Sequence, residues 1–558
     1  MPEKFSPFKN IGLCFSGGGY RATFYSLGIV SYLNHVQFKG KPLLENVTAL
    51  SSVSGGTLLA VAYAKAAQDL KHDFNTFYME FYNTFDPKND KLLETAIEKL
   101  EDDEVWKTNS YKTRSLINAF ALTYMEMPVF KGAFSIFENP TSKHLKLVCF
   151  NATDFSFGLT YRFQNGTGDF GNSPLSNKQV DQLKYEVELG DVIASSSCFP
   201  LGFEPLQFPD DYFKDHNAVD YVNLKSLDRF KKGVGIMDGG IADNQGIGSM
   251  MRISERVGVD LNLIVVNDVG SFKMVPWEQD NSYTKNSYSL GHFFGRIFSY
   301  FKVKPLYWII FLIGLILVVL NSLRIFSGCE DCGWPIINTI GSILMGIGFV
   351  LTLLGAFASI GIKILKSKIA RLFNKVVPEP LLDDILSFRK LDIGLIKQML
   401  TNRISSSVLM INDIFLKQLR RLNYDLFYSK SSLNHKRLTT TVYKLNGLKT
   451  PYSGDAPNYN KDIKPEPSTL LKSVGLTASD TATTLWWDKK DVASKRMDTL
   501  IACGQFTLCY ELMDYILELK KDEKDLDIDF RDIDVLYKIL QKDWVKFNKD
   551  PMFMVKPN

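Results

Sequence analysis

The chain is 558 residues long, with 45% apolar and 23% charged residues and a formal net charge of +4. That length fits three or four domain-sized units or one large α/β domain with insertions. The composition is that of an ordinary globular protein, and so small a net charge gives no global preference for nucleic acid. Seven cysteines are spread along the chain, most in apolar stretches such as Leu147-Val148-Cys149-Phe150. They read as reduced, buried thiols and argue against a secreted disulfide scaffold.

The opening Met1-Pro2-Glu3-Lys4-Phe5 lacks the apolar core of a signal peptide. Residues 11–15 predict a short apolar strand that ends in Ser16 and a glycine run, Gly17-Gly18-Gly19-Tyr20-Arg21. Residues 20–33 then read as a helix, with Ala22, Tyr25, Ile29 and Leu33 near one face. A second strand at 47–52 leads into Ser52-Val53-Ser54-Gly55-Gly56 and an alanine-rich helix over 55–70. Strand, turn and helix in close repetition are the mark of a βαβ unit and a parallel sheet.

Charged helical segments fill much of 66–130, and strands resume at 145–150 and 159–163. Residues 234–237 and 261–266 suit buried strands on either side of a helix near 247–257. Further on, 405–422 predicts an amphipathic helix and 439–444 a β-rich run. Residues 532–544 predict a helix within a highly charged end. There is no internal repeat.

Two long apolar runs interrupt this pattern. Residues 305–323 carry no charge, nor do residues 335–362. A bilayer core of about 30 Å needs about 20 helical residues, so both runs are long enough to span it. Buried helices of a soluble core rarely lack charge on every face. Arg296, Lys302 and Lys304 precede the pair and Lys363, Lys366, Lys368, Arg371 and Lys375 follow it, while the turn carries Arg324 against Glu330 and Asp331. The positive-inside rule then puts both long ends in the cytoplasm and the turn outside, with Tyr307, Trp308 and Trp334 at headgroup level. Cys329 and Cys332 in that turn have metal or redox spacing but no nearby histidine, so an outward disulfide or two free thiols fits better.

Three segments carry chemistry. Ser54 stands at a strand-to-helix turn of small residues, where its oxygen would be exposed beside backbone N–H donors. A serine–glycine stretch is also what a plain linker looks like, but the helix that follows favours an oxyanion at its N-terminus. The glycine run with Ala22 also fits G-x-G-x-x-A, the dinucleotide fingerprint. That reading expects an acid after the second strand, where this chain has Ser51-Ser52-Val53-Ser54. The same glycines serve as N–H donors around a tetrahedral oxyanion. Asp238, after the 234–237 strand and before Gly239-Gly240, reads either as a carboxylate at a strand's C-terminal end or as an Asp-Gly turn. An α/β-hydrolase triad would need a later histidine. Only His292 and His435 come later, one beside the apolar pair and one in a basic stretch.

Together these residues resemble the patatin-like phospholipase family. Its pattern is G-G-G-x-[RK], then G-x-S-x-G, then D-G-[GA], forming a Ser–Asp dyad without histidine. Ala194-Ser195-Ser196-Ser197-Cys198-Phe199-Pro200-Leu201-Gly202-Phe203-Glu204-Pro205 is similar to the family's A-S-x-x-x-P-x-x-F-x-P block, and Asp243-Asn244 also matches. One departure is that Ser52 replaces the first glycine of G-x-S-x-G.

The resemblance implies a three-layer α/β/α fold with a mainly parallel central sheet, here interrupted by a two-helix transmembrane hairpin. It implies Ser54 as nucleophile, Asp238 as base and the Gly17, Gly18, Gly19 and Gly55 amides as oxyanion hole. Arg21 would orient the loop or meet a lipid phosphate. No metal or cofactor is expected. The organisation expected is a catalytic core at 1–290, a hairpin at 296–375 with helices near 305–325 and 335–362, a C-terminal part of the catalytic domain at 376–515, and a charged helical tail at 516–558. The expected partners are a bilayer and a membrane phospholipid or other acyl lipid, with no nucleic acid and the catalytic part facing the cytoplasm. The function expected is a membrane-anchored lipid acyl hydrolase. A membrane scaffold that kept the fold but not the turnover is the alternative.

Overall fold

The first apolar run, Ile11–Phe15, is strand β1, and its side chains alternate between two cores: Leu13 and Phe15 lie in the larger and Cys14 in the smaller. That alternation is the period of a strand covered on both faces. The structure is a computed structural model that describes residues 5–69, 73–167, 170–172, 183–200, 202–256, 258–270, 277–281, 304–325, 334–376, 392–449, 459–522 and 526–556.

The other main strands are β2 (Val47–Val53), β3 (Leu147–Asp154), β4 (Leu159–Gln164), β5 (Leu206–Phe208), β6 (Val234–Asp238), β7 (Leu263–Asp268) and β8 (Arg437–Thr441). With β1 they form one sheet in the order β8-β7-β1-β2-β3-β6-β5, with β4 paired to β3. Strands β8, β7, β1, β2 and β3 run parallel. The β3–β4, β3–β6 and β5–β6 pairs are antiparallel.

The helices used below are α1 (Gly19–His35), α2 (Gly55–Gln68), α3 (Leu189–Ser197), α4 (Ile247–Ser254), α5 (Pro305–Ser322), α6 (Pro335–Val376), α7 (Leu416–Ser429), α8 (Thr469–Ser479), α9 (Arg496–Lys521) and α10 (Arg531–Lys549). By packing, the chain forms two compact units, Met1–Val275 with Asn412–Asn558, and Pro276–Ile411.

In the first unit, helices cover both faces of the sheet. Ile247 and Met250 of α4 and Phe427 of α7 pack with Cys14, Ala49, Cys149, Ile264 and Val266 in the smaller core. Residues of α1, α2, α3 and α9 share the larger core, as do Leu536, Leu540, Trp544 and Phe547 of α10. Helices α1 and α9 touch almost backbone to backbone: a Cβ on Gly28 would lie 2.1 Å from the Ile501 carbonyl oxygen, and one on Gly504 would lie 2.1 Å from that of Tyr25. The five described cysteines are free and buried. Asn46, Asn151 and Asn165, the N-x-[ST] positions, are buried with their side-chain amides bonded inside the fold.

In the second unit, α5 and α6 are long and apolar enough to cross a membrane. They pack through small residues, as membrane helices do. A Cβ on Gly314 would lie 2.4 Å from the Met345 nitrogen, and one on Gly348 2.5 Å from that of Phe311. Away from that seam, Leu306, Trp308, Ile336, Ile340 and Phe357 are exposed. Proline opens both helices, where its missing N–H costs nothing. Trp277 and Asp280 bond to Ser405 and Asn402 of helix Ile393–Leu409.

Most expected elements differ by a few residues at their ends, and three differences have a physical reason. Helix α6 does not stop at 362 where charge begins; it continues to Val376, because no proline or glycine stands between Gly361 and its end. The single helix expected at 405–422 is two helices, Ile393–Leu409 and α7, joined by a π-helical turn at Met410–Phe415. Such a turn adds a residue and rotates the register by about 100°, which apolar periodicity does not detect. The β-rich run expected at 439–444 is β8, which ends at Thr441. Cys329 and Cys332 lie outside the described residues.

The Gly28–Gly504 approach makes a direct test. Gly504→Ala is expected to destabilise the detergent-purified protein by about 1–3 kcal/mol through overpacking. Gly346→Ala, where a Cβ meets nothing within 4 Å, should leave the thermal midpoint unchanged or raised.

Candidate active site

Strand β3 presents one edge to two partners. Val53 at the end of β2 pairs with Asn151, and Asp238 at the end of β6 pairs with the next residue, Ala152. Because β2 runs parallel to β3 and β6 antiparallel, their C-terminal ends meet head-on along that edge. Ser54 is the first residue past one end and Asp238 the last residue of the other. Asp238 thus belongs to the strand rather than following it, and it is 1% exposed. Its carbonyl accepts the Thr153 hydroxyl at 2.8 Å, and its N–H donates to the Cys198 carbonyl at 3.2 Å.

The turn at Ser54 is a strained elbow, with φ 50° and ψ −128°, a conformation that L-residues rarely adopt. Close approach explains the glycines after it. A Cβ on Gly55 would lie 2.0 Å from the Gly19 carbonyl oxygen, and one on Gly56 2.6 Å from that of Ser16.

A buried chain of hydroxyls holds the elbow from behind. Ser54 N–H donates to Ser196 Oγ at 2.9 Å, and Ser196 donates to the Asn151 carbonyl at 2.6 Å. With that proton committed, Thr57 must donate to Ser196 at 2.8 Å and Ser52 to Thr57 at 2.9 Å. Ser52 therefore does more than fit where the motif has glycine: its hydroxyl begins the chain. Ser196 was legible only as part of the Ala194–Pro205 block, with no role attached.

The glycine loop divides its amides. Gly17 N–H donates to the Asn244 carbonyl at 2.8 Å, so it is not available to an oxyanion, which corrects the expectation for that residue. Gly18 and Gly19, both at positive φ, have N–H groups without a hydrogen-bond partner among the described residues. Gly55 is buried against the Gly19 carbonyl and does not line the cavity. Arg21 Nη1 donates to the Ser479 and Thr481 carbonyls at 3.2 and 3.1 Å, tying the first turn of α1 to the end of α8.

A cavity of about 460 Å³ opens over these groups, within the range for small-ligand sites. Ser54, Asp238 and Gly17–Gly19 line it, along with Phe199, Phe203, Leu416, Leu485 and Trp486 as its apolar part. No histidine lines it among the described residues. His435 lines a separate depression, and His292 lies outside the described residues.

Asp238 Oδ1 accepts the Gly240 N–H at 2.7 Å, while Oδ2 has no hydrogen-bond partner among the described residues. Burial pushes its carboxyl up to about 6, against the Ser54 hydroxyl and the Gly240 N–H, which pull it down. The group is thus ionised near neutral pH yet more basic than an ordinary carboxylate, the poise a general base needs.

The family model for patatin-like phospholipase matches residues 13–251. These residues are a patatin-like phospholipase domain. The match runs from β1 through α4 and contains every motif of the site. Strands β7 and β8 and helix α7 lie beyond it, yet they complete the same sheet and the smaller core. No curated protein matches the chain.

The buried carboxyl of Asp238 predicts a pH-dependent stability cost. Its native carboxyl lies above the ordinary value of 3.8, so the native state holds the proton more tightly than the unfolded state between about 4 and 6. Stability therefore falls as pH rises through that window, and the loss persists above it. Asp238→Asn should be more stable than wild type at pH 7.5, by up to about 3 kcal/mol, with the difference closing near pH 4. Thermal unfolding of both proteins in detergent across pH 4–8 measures it.

Proposed function

We propose that this chain is a membrane-anchored lipid acyl hydrolase, of phospholipase A or lysophospholipase type, working through Ser54 and Asp238. The observation that carries the reading is the head-on meeting of β2 and β6, which leaves a strained serine and a buried, basic carboxylate on one cavity beside two free glycine amides.

Asp238 takes the proton of the Ser54 hydroxyl as its oxygen adds to the ester carbonyl carbon of an acyl lipid. The negative charge that develops on the carbonyl oxygen is met by the Gly18 and Gly19 amides; one such donor is typically worth about 2.7–4 kcal/mol in the transition state. Collapse breaks the ester bond, and the leaving alcohol takes the proton from Asp238. Water then gives a proton to Asp238 and adds to the acyl-enzyme; collapse frees the fatty acid and returns the proton to Ser54. The rigid elbow supplies orientation, since Ser196 fixes the Ser54 amide and the β3 edge fixes Asp238.

Helices α5 and α6 are the anchor in this reading, an insertion at 296–375 within one catalytic domain. The basic residues around their outer ends favour a cytoplasmic active site. Two helices that expose apolar side chains away from their shared seam suit lipid better than water.

The test is release of fatty acid from vesicles of mixed phospholipid and neutral lipid by detergent-purified protein, read by mass spectrometry. Wild type should release acid, and Ser54→Ala should lose roughly 10⁴-fold or more. Equal release by both proteins, or none by folded wild type, would contradict the proposal.

A further inference from the structure

Among the described residues, the cavity over Ser54 and Asp238 is lined by three basic residues, Arg21, Lys417 and Arg420, against the single acid Asp238. The acyl-transfer steps use none of the three. Arg420 lies on α7, outside the residues matched by the family model, and its guanidinium is built into the wall. Nε donates to Asp268 Oδ2 at 2.7 Å and Nη2 to the Tyr443 hydroxyl oxygen at 3.0 Å. The group also lies 5.8 Å from the ring centres of both Tyr424 and Tyr443. Gly270 leaves it room, since a Cβ there would come within 3.2 Å of Arg420 Cζ.

This arrangement spends little of the cation's capacity. The Asp268 carboxylate is fully buried and shared: Oδ1 accepts the Gly270 N–H at 2.7 Å, and Oδ2 accepts the Tyr424 hydroxyl at 2.8 Å as well as Arg420. Only one of the five Arg420 N–H groups goes to that acid and one to Tyr443. Nη1 keeps both of its donors without a protein partner among the described residues, and the side chain is 15% exposed.

Arg21 is a second under-used cation on the same cavity. It has two carbonyl partners, an unbonded Nε and no carboxylate in contact among the described residues. Burial lowers it to about 10 against the opposing charges of Asp268 and Asp480, and the charge of Arg420 adds to the lowering.

We propose that Arg420, together with Arg21, forms a phosphate subsite in the catalytic cavity, through which the enzyme selects acyl lipids with a phosphate-bearing headgroup over uncharged acylglycerols. The selectivity rests on the acyl-hydrolase reading; the anion site itself does not. A guanidinium held by Asp268 and two tyrosine rings is pre-oriented, and its free fork matches a phosphate with two parallel charge-assisted bonds. Asp268 and Tyr443 make Arg420 a specificity residue fixed before substrate arrives.

Arg420→Ala would strand Asp268 as a buried charge and risk the fold. Arg420→Lys keeps the charge and the Asp268 partner but loses the fork, so it is the informative variant. The experiment compares kcat/KM for 1-acylglycerol 3-phosphate with that for the monoacylglycerol of the same chain, in detergent micelles. Wild type should prefer the phosphate substrate, and the ratio of the two values should fall about tenfold or more in Arg420→Lys. An unchanged ratio, or no preference in wild type, overturns the subsite while leaving the hydrolase intact.

If folded wild type cleaves neither lipid, the hydrolase reading fails, and calorimetry with glycerol 3-phosphate judges the subsite alone. Millimolar or tighter binding by Ser54→Ala that is lost in Ser54→Ala/Arg420→Lys supports it, and no binding overturns it. Inorganic phosphate binding as tightly as glycerol 3-phosphate would mark a site for free phosphate and overturn the headgroup assignment.

Discussion

The edge of β3, where two strands meet from opposite directions, is the constraint on which the site depends. Backbone pairing places Val53 and Asp238 on adjacent residues, Asn151 and Ala152. No side-chain contact has to bring Ser54 and Asp238 together, because the ladder does so. The register is correspondingly strict, since a slip of one residue would turn Asp238 to the opposite face of the sheet. Close packing guards it: a Cβ on Gly239 would lie 2.4 Å from the Asn151 carbonyl oxygen. Asn151 itself donates to both Ser51 Oγ and the Ser52 carbonyl, at 3.0 and 2.9 Å, joining the two strands through its side chain as well.

Around that meeting point the fold accepts three local costs. Ser54 sits in a disfavoured backbone region, Asp238 carries charge in a buried place, and Gly18 and Gly19 hold amides without a partner among the described residues. Each is unfavourable alone, and together they are the features that the proposed acyl transfer would use. Rigidity elsewhere offsets them. The Ser52–Thr57–Ser196 chain fixes the elbow, Asn244 fixes Gly17, and the backbone contact of α1 with α9 fixes the helix that carries the loop.

What was legible in the sequence follows from range. The strands expected at 11–15 and 47–52 and the turns at Ser54 and Gly17–Gly19 announce themselves through local apolar runs and small residues. The motifs matched by the family model are likewise confined to a few consecutive positions each. The partners that decide how those groups work come from far away: Ser196 is 142 residues from Ser54, and Arg420 is 152 residues from Asp268. The Gly17–Asn244 bond, which removes one expected oxyanion donor, has no local signature at all. Neither does the π-helical turn before α7, since a single added residue leaves both flanking patterns intact. Strand β8 could be suspected from its β-branched residues, but its place beside β7 rests on pairing such as that of Thr440 with Asn267.

The catalytic unit is completed by sequence that follows the apolar helices. Strand β8 extends the sheet, α7 covers the smaller core and lines the cavity, and α9 closes over α1. The central claim is that Ser54 is a nucleophile activated by Asp238, and covalent labelling tests it most directly. Folded protein would be treated with a fluorophosphonate across pH 4.5–8 and the adduct mapped by peptide mass. The account predicts one adduct, on Ser54, forming at a rate that rises with pH through about 6 and collapsing in Asp238→Asn. No adduct on folded protein, or labelling of Ser54 at a rate independent of pH and of Asp238, would contradict it.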